Sequence, residues 1–507
     1  MTRLVAVVVV LLLLAFTPLS CRPAGVKVGS KKFTESVILG EMISLLIGEA
    51  DISTAHYREL GGTQLVFQAL VSGDIDIYPE YKGTIREEIL AGRNIDSDAD
   101  MQSALEAQGV LMSRPLGFNN TYALGMQKSR ARELGITKTS DLVRHPDLVF
   151  GFSNEFIDRE DGWPNLQRHY DLPQSDVNGL DHDLAYRQLR LAAIDVIDVY
   201  TTDAKIEIYD LAVLEDDLNY FPRYDAVLLY RADLQDRSPS AIRAALRLEN
   251  NVSESEMMTA NSRVELDRVS ERRAAADFLS EKLGVSSKIT EETIVGRIWD
   301  RTIEHLDLVR KSLIPAILLA IPLGILASKR PRCGHVILAV VGVVQTIPAL
   351  ALLVILMPPI ANLGLASVGL GSVTAVVALL LYSLLPVVRN TYAGMQGVAG
   401  GYHESAEALG LPPVFRLMEI ELPLAARSIL AGIKTAAVIN VGFATLGALI
   451  GAGGYGQPII SGIRLNDTGL ILQGAIPAAA LALLVQGGFD VAERYFVPKG
   501  LRIKSGE

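Results

Sequence analysis

The sequence predicts a molecule in two parts: a soluble α/β domain of two lobes, followed by an all-α domain that crosses a membrane. Three observations predict it. Half of the 507 residues are hydrophobic and the mean hydropathy is +0.30, too apolar for a wholly soluble chain of this length. That apolarity is uneven: short apolar runs alternate with amphipathic stretches as far as Lys288, whereas the runs beyond Thr293 are long and nearly free of charge. Charge divides the same way. Residues 301–507 hold 15 Lys and Arg against 10 Asp and Glu, so the first 300 residues carry all of the acidic excess behind the net charge of −10. An acidic soluble part precedes a basic membrane part.

The chain starts Met1-Thr2-Arg3, continues uncharged from Leu4 to Phe16 and reaches Leu19-Ser20-Cys21. A basic start, a short apolar run and a small-residue end predict an export signal over residues 1–21, either cleaved and lipidated at Cys21 or kept as an anchor. The domain after it is expected to be exported. Residues 26–288 read as one α/β domain, with strands at Val26–Gly29, Asp74–Tyr78, Leu148–Phe152 and Asp195–Tyr200 and a helix over Glu35–Ile47. Its size predicts two lobes.

Residues 289–311 read as a linker and connecting helix, and 312–490 as the membrane domain. Five spans are expected: Ser312–Ser328, His335–Pro358, Leu370–Val388, Ile429–Ala452 and Gly469–Gly488. Cations follow the first span (Lys329, Arg330, Arg332), the third (Arg389) and the fifth (Lys499, Arg502, Lys504), which makes those ends and the tail 491–507 cytoplasmic. The first span then begins outside, where an exported domain hands over the chain. Residues 391–427 fall inside.

Within that inner segment lies a polar, helix-forming island, Glu404-Ser405-Ala406-Glu407-Ala408-Leu409-Gly410, with Ile420-Glu421-Leu422-Pro423 beginning ten residues beyond its glycine. Its spacing resembles the EAA loop of ABC importer permeases. The resemblance implies that Glu404, Ala406, Gly410, Ile420, Leu422 and Pro423 couple the spans to cytoplasmic ABC ATPase subunits. A short helix stopped by Gly410 and Pro412-Pro413 suits that role, because it can dock in a partner's cleft and move with it. No G-x-x-x-x-G-K-[ST] phosphate loop occurs in the sequence, so ATP hydrolysis is expected on a separate subunit.

The exported domain carries Gly29-Ser30-Lys31-Lys32-Phe33-Thr34-Glu35, Tyr78-Pro79-Glu80-Tyr81-Lys82-Gly83-Thr84, Asn120-Thr121-Tyr122, Phe156-Ile157-Asp158-Arg159-Glu160-Asp161-Gly162, Asp198-Val199-Tyr200-Thr201-Thr202-Asp203 and Asp216-Asp217 with Phe221-Pro222-Arg223-Tyr224. In this order they resemble the substrate-binding proteins of the glycine betaine, choline and carnitine importers. The fold implied is a type II periplasmic-binding-protein domain followed by an ABC importer permease, working as a homodimer in the cytoplasmic membrane. By the same resemblance Tyr81, Tyr122, Tyr200 and Tyr224 match an aromatic cage, Lys31, Thr84 and Arg159 match carboxylate-binding groups, and Asn120 stands near the cation.

The chemistry is coherent. A trimethylammonium group is a diffuse cation without a strong donor, so it is best held by aromatic faces, each worth about 0.5–2 kcal/mol. A carboxylate at the other end calls for Lys or Arg with hydroxyl or backbone donors. The bland readings stay open: Lys31 as a surface lysine like its neighbour Lys32, and Arg159 as an ion-pair partner of Asp158 or Asp161. Lys82, if directed inward, would oppose choline, and a free Arg159 favours a zwitterion. Glycine betaine, carnitine, choline and ergothioneine all fit the class.

Other classes are disfavoured. The acidic soluble part offers no basic face for nucleic acid. Cys21 and Cys333 make no disulfide framework, and the seven histidines show no zinc spacing, so no cofactor is expected. His56, Trp163 and His182 read as ordinary isolated residues, and no catalytic constellation appears. A membrane-tethered ligand sensor is the competing class, although five spans exceed what tethering needs.

Overall fold

The computed structural model describes residues 25–93, 95, 97–159, 161–285, 293–362, 370–465 and 467–496. The expected export signal with Cys21, the motif residue Glu160 and the terminal cations Lys499, Arg502 and Lys504 lie outside the described residues. The chain divides into two compact units, Pro23–Glu291 and a helical unit from Glu292 onward.

The first unit contains two five-stranded sheets. One has the order β2-β1-β3-β10-β4, formed by β1 (Val26–Gly29), β2 (Thr54–Tyr57), β3 (Ile77–Tyr81), β4 (Val110–Met112) and β10 (Ala226–Arg231). The other has the order β7-β6-β8-β5-β9, formed by β5 (Tyr122–Gln127), β6 (Phe150–Ser153), β7 (Val177–Leu180), β8 (Val196–Tyr200) and β9 (Leu211–Val213). Because β10 returns to the first sheet, the chain crosses between lobes twice, after β4 and after β9. β1, β2 and β3 run parallel, as do β6, β7 and β8, while β10 and β5 are antiparallel to their neighbours. Each lobe has its own apolar core, with Val66, Leu70, Tyr78 and Leu229 in one and Tyr186, Ile197 and Val199 in the other. Helices Glu254–Glu265 and Glu271–Leu283 then pack on the first lobe's helix Thr34–Glu49.

The strand expected at Asp74–Tyr78 is displaced: it starts at Ile77 and runs through Pro79 to Tyr81. Gly73 ends the preceding helix at φ +84°, and the amides of Asp74 and Ile75 bond back to Ala69, which holds them in the turn. Pro79 is tolerated because β1 pairs with β3 at Ile77 and not beyond, leaving less ladder for a missing N–H to break.

In the second unit the connecting helix and the first expected span form one helix, Ile294–Lys329, whose start is capped by Thr293 Oγ1 accepting from Gly296 N. Among the described residues, four helices are long and apolar enough to cross a membrane: Ile294–Lys329, Gly371–Gln396, Pro413–Ile450 and Thr468–Glu493. The expected span His335–Pro358 is instead a pair, Pro331–Thr346 and Ala349–Ile360, bent by 104°. The break falls at Ile347, whose backbone is extended (φ −70°, ψ 126°) because Pro348 disfavours the helical conformation in the residue before it. Counting the bent pair as one span gives five.

Candidate functional site: an aromatic cleft and a polar loop

The carboxyl ends of the parallel strands open toward the space between lobes, where open α/β sheets place ligands. Phe33 follows β1, Tyr81 closes β3 and Tyr200 closes β8. Tyr122 begins the antiparallel β5 and is the cross-strand partner of Tyr200, and Tyr224 lies on the second crossing, two residues before β10. The four predicted tyrosines come together with a fifth ring that sequence reasoning missed. Ring centroids are 6.1 Å apart for Tyr81 and Phe33, 5.8 Å for Phe33 and Tyr200, 5.1 Å for Tyr200 and Tyr122, and 5.6 Å for Tyr122 and Tyr224. A Cβ on Gly83 would lie 2.5 Å from the Tyr224 ring, so glycine is what lets this ring reach β3's end.

The predicted anion-binding groups are present but already engaged. Lys31 is buried, not a surface lysine; its Nζ donates to Glu80 at 2.5 Å and lies 5.2 Å from the Tyr81 ring. Arg159 makes a two-pronged pair with Asp161, at 2.7 and 2.6 Å, and donates to Glu88 Oε2 at 2.8 Å. Of the two ion-pair partners weighed for it, the structure selects Asp161. Glu88 belongs to the first lobe and Arg159 to the second, so this pair bridges the cleft. The guanidinium also lies 5.4 Å from the Tyr122 ring, and the Tyr224 hydroxyl donates to Asp161. Thr84 is buried on the turn after Tyr81. Lys82 turns aside to pair with Asp98 at 2.5 Å.

At the centre lies Glu35, whose carboxylate accepts from Tyr81 Oη (2.6 Å), Asn120 Nδ2 (2.9 Å), Thr202 Oγ1 (2.6 Å) and Asn261 Nδ2 (3.0 Å). Thr202 belongs to the second lobe, so this cluster also spans the cleft. Burial pushes the Glu35 carboxyl up, against the lowering effect of those four donors. The amide of Asn120 is thus spent on an acid, Glu35.

Two histidines expected to be isolated are not. His182 stands 3.5 Å from both Asp198 and Asp203, and its ring lies 4.7 Å from that of Tyr200. Burial alone would push it down, but the two carboxylates outweigh burial and hold it up at about 10. His56 shares Glu41 with Arg58 and Arg272. Trp163 packs against Phe150 and Phe152 in the second lobe.

In the helical unit, Glu404 and Glu407 are exposed on the helix Gly400–Ala408, while Ala406 is buried. Gly410 ends the turn at φ +66°, and its amide and that of Leu411 bond back to Glu407 and Ala406. Pro423 stands in the first turn of the helix Leu422–Ala444, and Ile420 and Leu422 are half-buried. Tyr402, Leu409, Val414 and Phe415 are exposed apolar side chains on the same loop. Glu421, between Ile420 and Leu422, is buried; Lys329 Nζ lies 2.5 Å from it and His403 Nδ1 3.3 Å.

An aromatic, acid-lined cleft in a two-lobed domain, fused to a bundle of membrane-length helices, defines a binding protein and permease combined in one chain. The comparisons agree. Residues 24–281 match the substrate-binding domain of the ABC-type glycine betaine transport system, and residues 320–499 match the binding-protein-dependent transport system inner membrane component. The chain belongs to this family of betaine-type ABC importers. Similar proteins include the choline transport system permease protein OpuBB of Bacillus subtilis, 36% identical over 211 residues that cover 42% of this chain and 94% of the relative. Another is the ergothioneine transport permease/ergothioneine binding protein EgtU of Helicobacter pylori, 33% identical over 263 residues. That alignment covers 51% of this chain and 47% of the relative. A crystal structure of a glycine betaine/carnitine/choline ABC transporter aligns at 27% identity over 52% of this chain and all of that one, with a TM-score of 0.45.

Proposed function

We propose that this chain captures a betaine-type quaternary ammonium zwitterion on the outer side of the cytoplasmic membrane and passes it inward. It does so as a homodimer of its membrane unit, with separate cytoplasmic ATPase subunits supplying the energy. The observation that carries the ligand class is the series of five rings, Phe33, Tyr81, Tyr122, Tyr200 and Tyr224, drawn from both lobes and the crossing between them. Four such faces at the upper end of about 0.5–2 kcal/mol each approach the roughly 8 kcal/mol of micromolar binding of a trimethylammonium head. Glycine betaine is the first ligand to test. A second reading is favoured by Arg159: Asp161 and Glu88 already occupy it, so a ligand carboxylate must displace one of them, whereas the cation choline need not.

The exposed Glu404, Glu407, Leu409 and Phe415 support the segment 404–423 as the docking point for the ATPase. The pair between buried Glu421 and the exposed Lys329 would carry its movement into the first long helix. Two measurements test the whole. Titration calorimetry of the full chain in nanodiscs against glycine betaine, choline, carnitine and ergothioneine is expected to find micromolar binding of at least one. Tyr200→Ala or Tyr224→Ala weakens that binding at least tenfold; unchanged affinity removes the cage. Gly410→Arg, which forces a side chain into a left-handed backbone on the docking face, abolishes uptake into proteoliposomes while leaving affinity intact. Normal uptake by this variant defeats the coupling role, and ligand binding without uptake by the unaltered protein favours a sensor.

A further inference from the structure

Glu35 stands apart from the other buried and half-buried acids around the cleft. Glu80 is paired with Lys31, Glu88 and Asp161 with Arg159, and Asp198 and Asp203 with His182. Glu35 is 2% exposed and, among the described residues, joins no ion pair; four neutral donors hold it instead. Burial works against the charge, but the donors fill both oxygens, Tyr81 and Asn120 on one and Thr202 and Asn261 on the other, which favours the ionised form, and no cation of the fold compensates it. One of the four donors is the phenol of Tyr81, a cage ring. Burial first, and then the charge of Glu35, push that phenol well above its ordinary range, so it remains a donor. A phenol that donates to a carboxylate gains electron density in its ring, and the ring face then attracts a cation more strongly.

We propose that Glu35 supplies the counter-charge for the ligand's quaternary ammonium group, acting through the phenol of Tyr81. Through Thr202 Oγ1 of the opposite lobe, the same carboxylate makes that charge part of the closed cleft. The inference rests on the ligand class proposed above. It accounts for a neutral Asn120 beside the cation, since the amide orients the acid rather than replacing it. It also makes the site selective for a charged head over a neutral one of the same shape.

The test compares glycine betaine and choline with their tert-butyl isosteres, in which carbon replaces the ammonium nitrogen, on the full chain and its Glu35→Gln variant. The variant is expected to bind both quaternary ligands at least tenfold more weakly and the isosteres less than threefold more weakly. Equal losses in both sets reduce Glu35 to a structural residue and overturn the proposal, as does no loss at all. If the isosteres bind neither protein, hydrogen exchange over β3 and β8 in the ligand-free chains decides. Unchanged protection with weakened betaine binding supports the counter-charge; lost protection overturns it. If the unaltered protein binds no quaternary ammonium ligand, the proposed function falls and this inference with it, whereas tight binding by both proteins sinks this inference alone.

Discussion

The binding unit and the membrane unit bury polar side chains by different means. Around the cleft the buried groups include Lys31, Glu35, Glu41, Glu80, Asp161 and Asp198; Glu80 is joined to Lys31, Glu41 to Arg58 and Asp198 to His182 from distant parts of the chain, and Asp161 to the nearby Arg159. Between the membrane helices the buried groups include Ser312, Thr374, Ser383, Thr391 and Asn440, all uncharged, with Arg464 a buried cation at the end of the short helix Gly456–Arg464. There the hydroxyls of Ser312 and Ser383 lean on backbone carbonyls one turn back. Among the described residues Glu421 is the buried carboxylate of this unit, and it lies at the polar loop, paired with Lys329 at a helix end. The difference follows from the solvent each interior meets when it loosens. Lobes that part are rehydrated, so charges can be used to latch them, whereas lipid offers nothing to a freed charge and favours groups satisfied within their own helix.

The largest expected effect tests the charged side of this contrast. Glu41 lies 2.7 Å from His56 Nδ1, 2.5 Å from Arg58 and 3.1 Å from Arg272. Burial works to raise its carboxyl, but Arg58, His56 and Arg272 outweigh it and hold the group well below the usual carboxylate range. Glu41→Ala strands His56 and Arg58. Breaking a buried pair costs about 3–5 kcal/mol, and the lower end is expected here because Arg58 and Arg272 can swing toward water. Urea denaturation followed through Trp163, in a Trp299→Phe background, reads the loss. Because the folded value is depressed, the contribution is present above the ordinary unfolded value, about 4.3, and disappears as pH falls toward the folded one. A variant within about 1 kcal/mol of the unaltered protein would mean that the charges are ornamental.

A smaller effect is expected at high pH. His182 is held up at about 10, so the stability it contributes is complete below about 6.5 and is lost as pH rises through the folded value. The unfolding free energy of the binding unit, measured in urea, should fall across that window by about 2 kcal/mol after discounting for the partial exposure of the ring. His182→Gln should flatten the profile. A slope that survives the substitution assigns the dependence to another group.

These clusters also mark where sequence reading stopped. Tyr81, Tyr122, Tyr200 and Tyr224 were legible because each stands inside a short motif at a strand end or crossing. Phe33 lay in such a motif too, but its role depends on where the loop after β1 places it between Tyr81 and Tyr200. Glu35 was harder: its donors are 46, 85, 167 and 226 residues away, and nothing local announces that four chain segments meet on one carboxylate. The pairing of Arg159 was open for the opposite reason: Asp158 and Asp161 are both near in sequence, and the choice depends on the backbone turn between them. The break at Ile347 did have a local cause in Pro348, masked by an apolar run that reads as one span.

The smallest expected effect lies in the membrane unit and completes the contrast. Asn440 Nδ2 donates to Ser312 Oγ at 3.0 Å and to Ser383 Oγ at 3.1 Å, joining the helices Ile294–Lys329, Leu370–Gln396 and Leu422–Ala444 at one point. As an interhelical latch this looks comparable to Glu41, yet Asn440→Ala frees no charge. The Ser312 hydroxyl keeps the Leu308 carbonyl at 2.8 Å, and that of Ser383 keeps Leu379 at 2.8 Å. Interhelical hydrogen bonds of this kind average about 0.6 kcal/mol in lipid, so a loss of about 1 kcal/mol including the small void is expected. Unfolding of the nanodisc-extracted chain in mixed micelles measures it. A loss equal to that of Glu41→Ala would show that neutral networks between helices are as critical as charged ones around a cleft, and the division of labour drawn between the two units would fail.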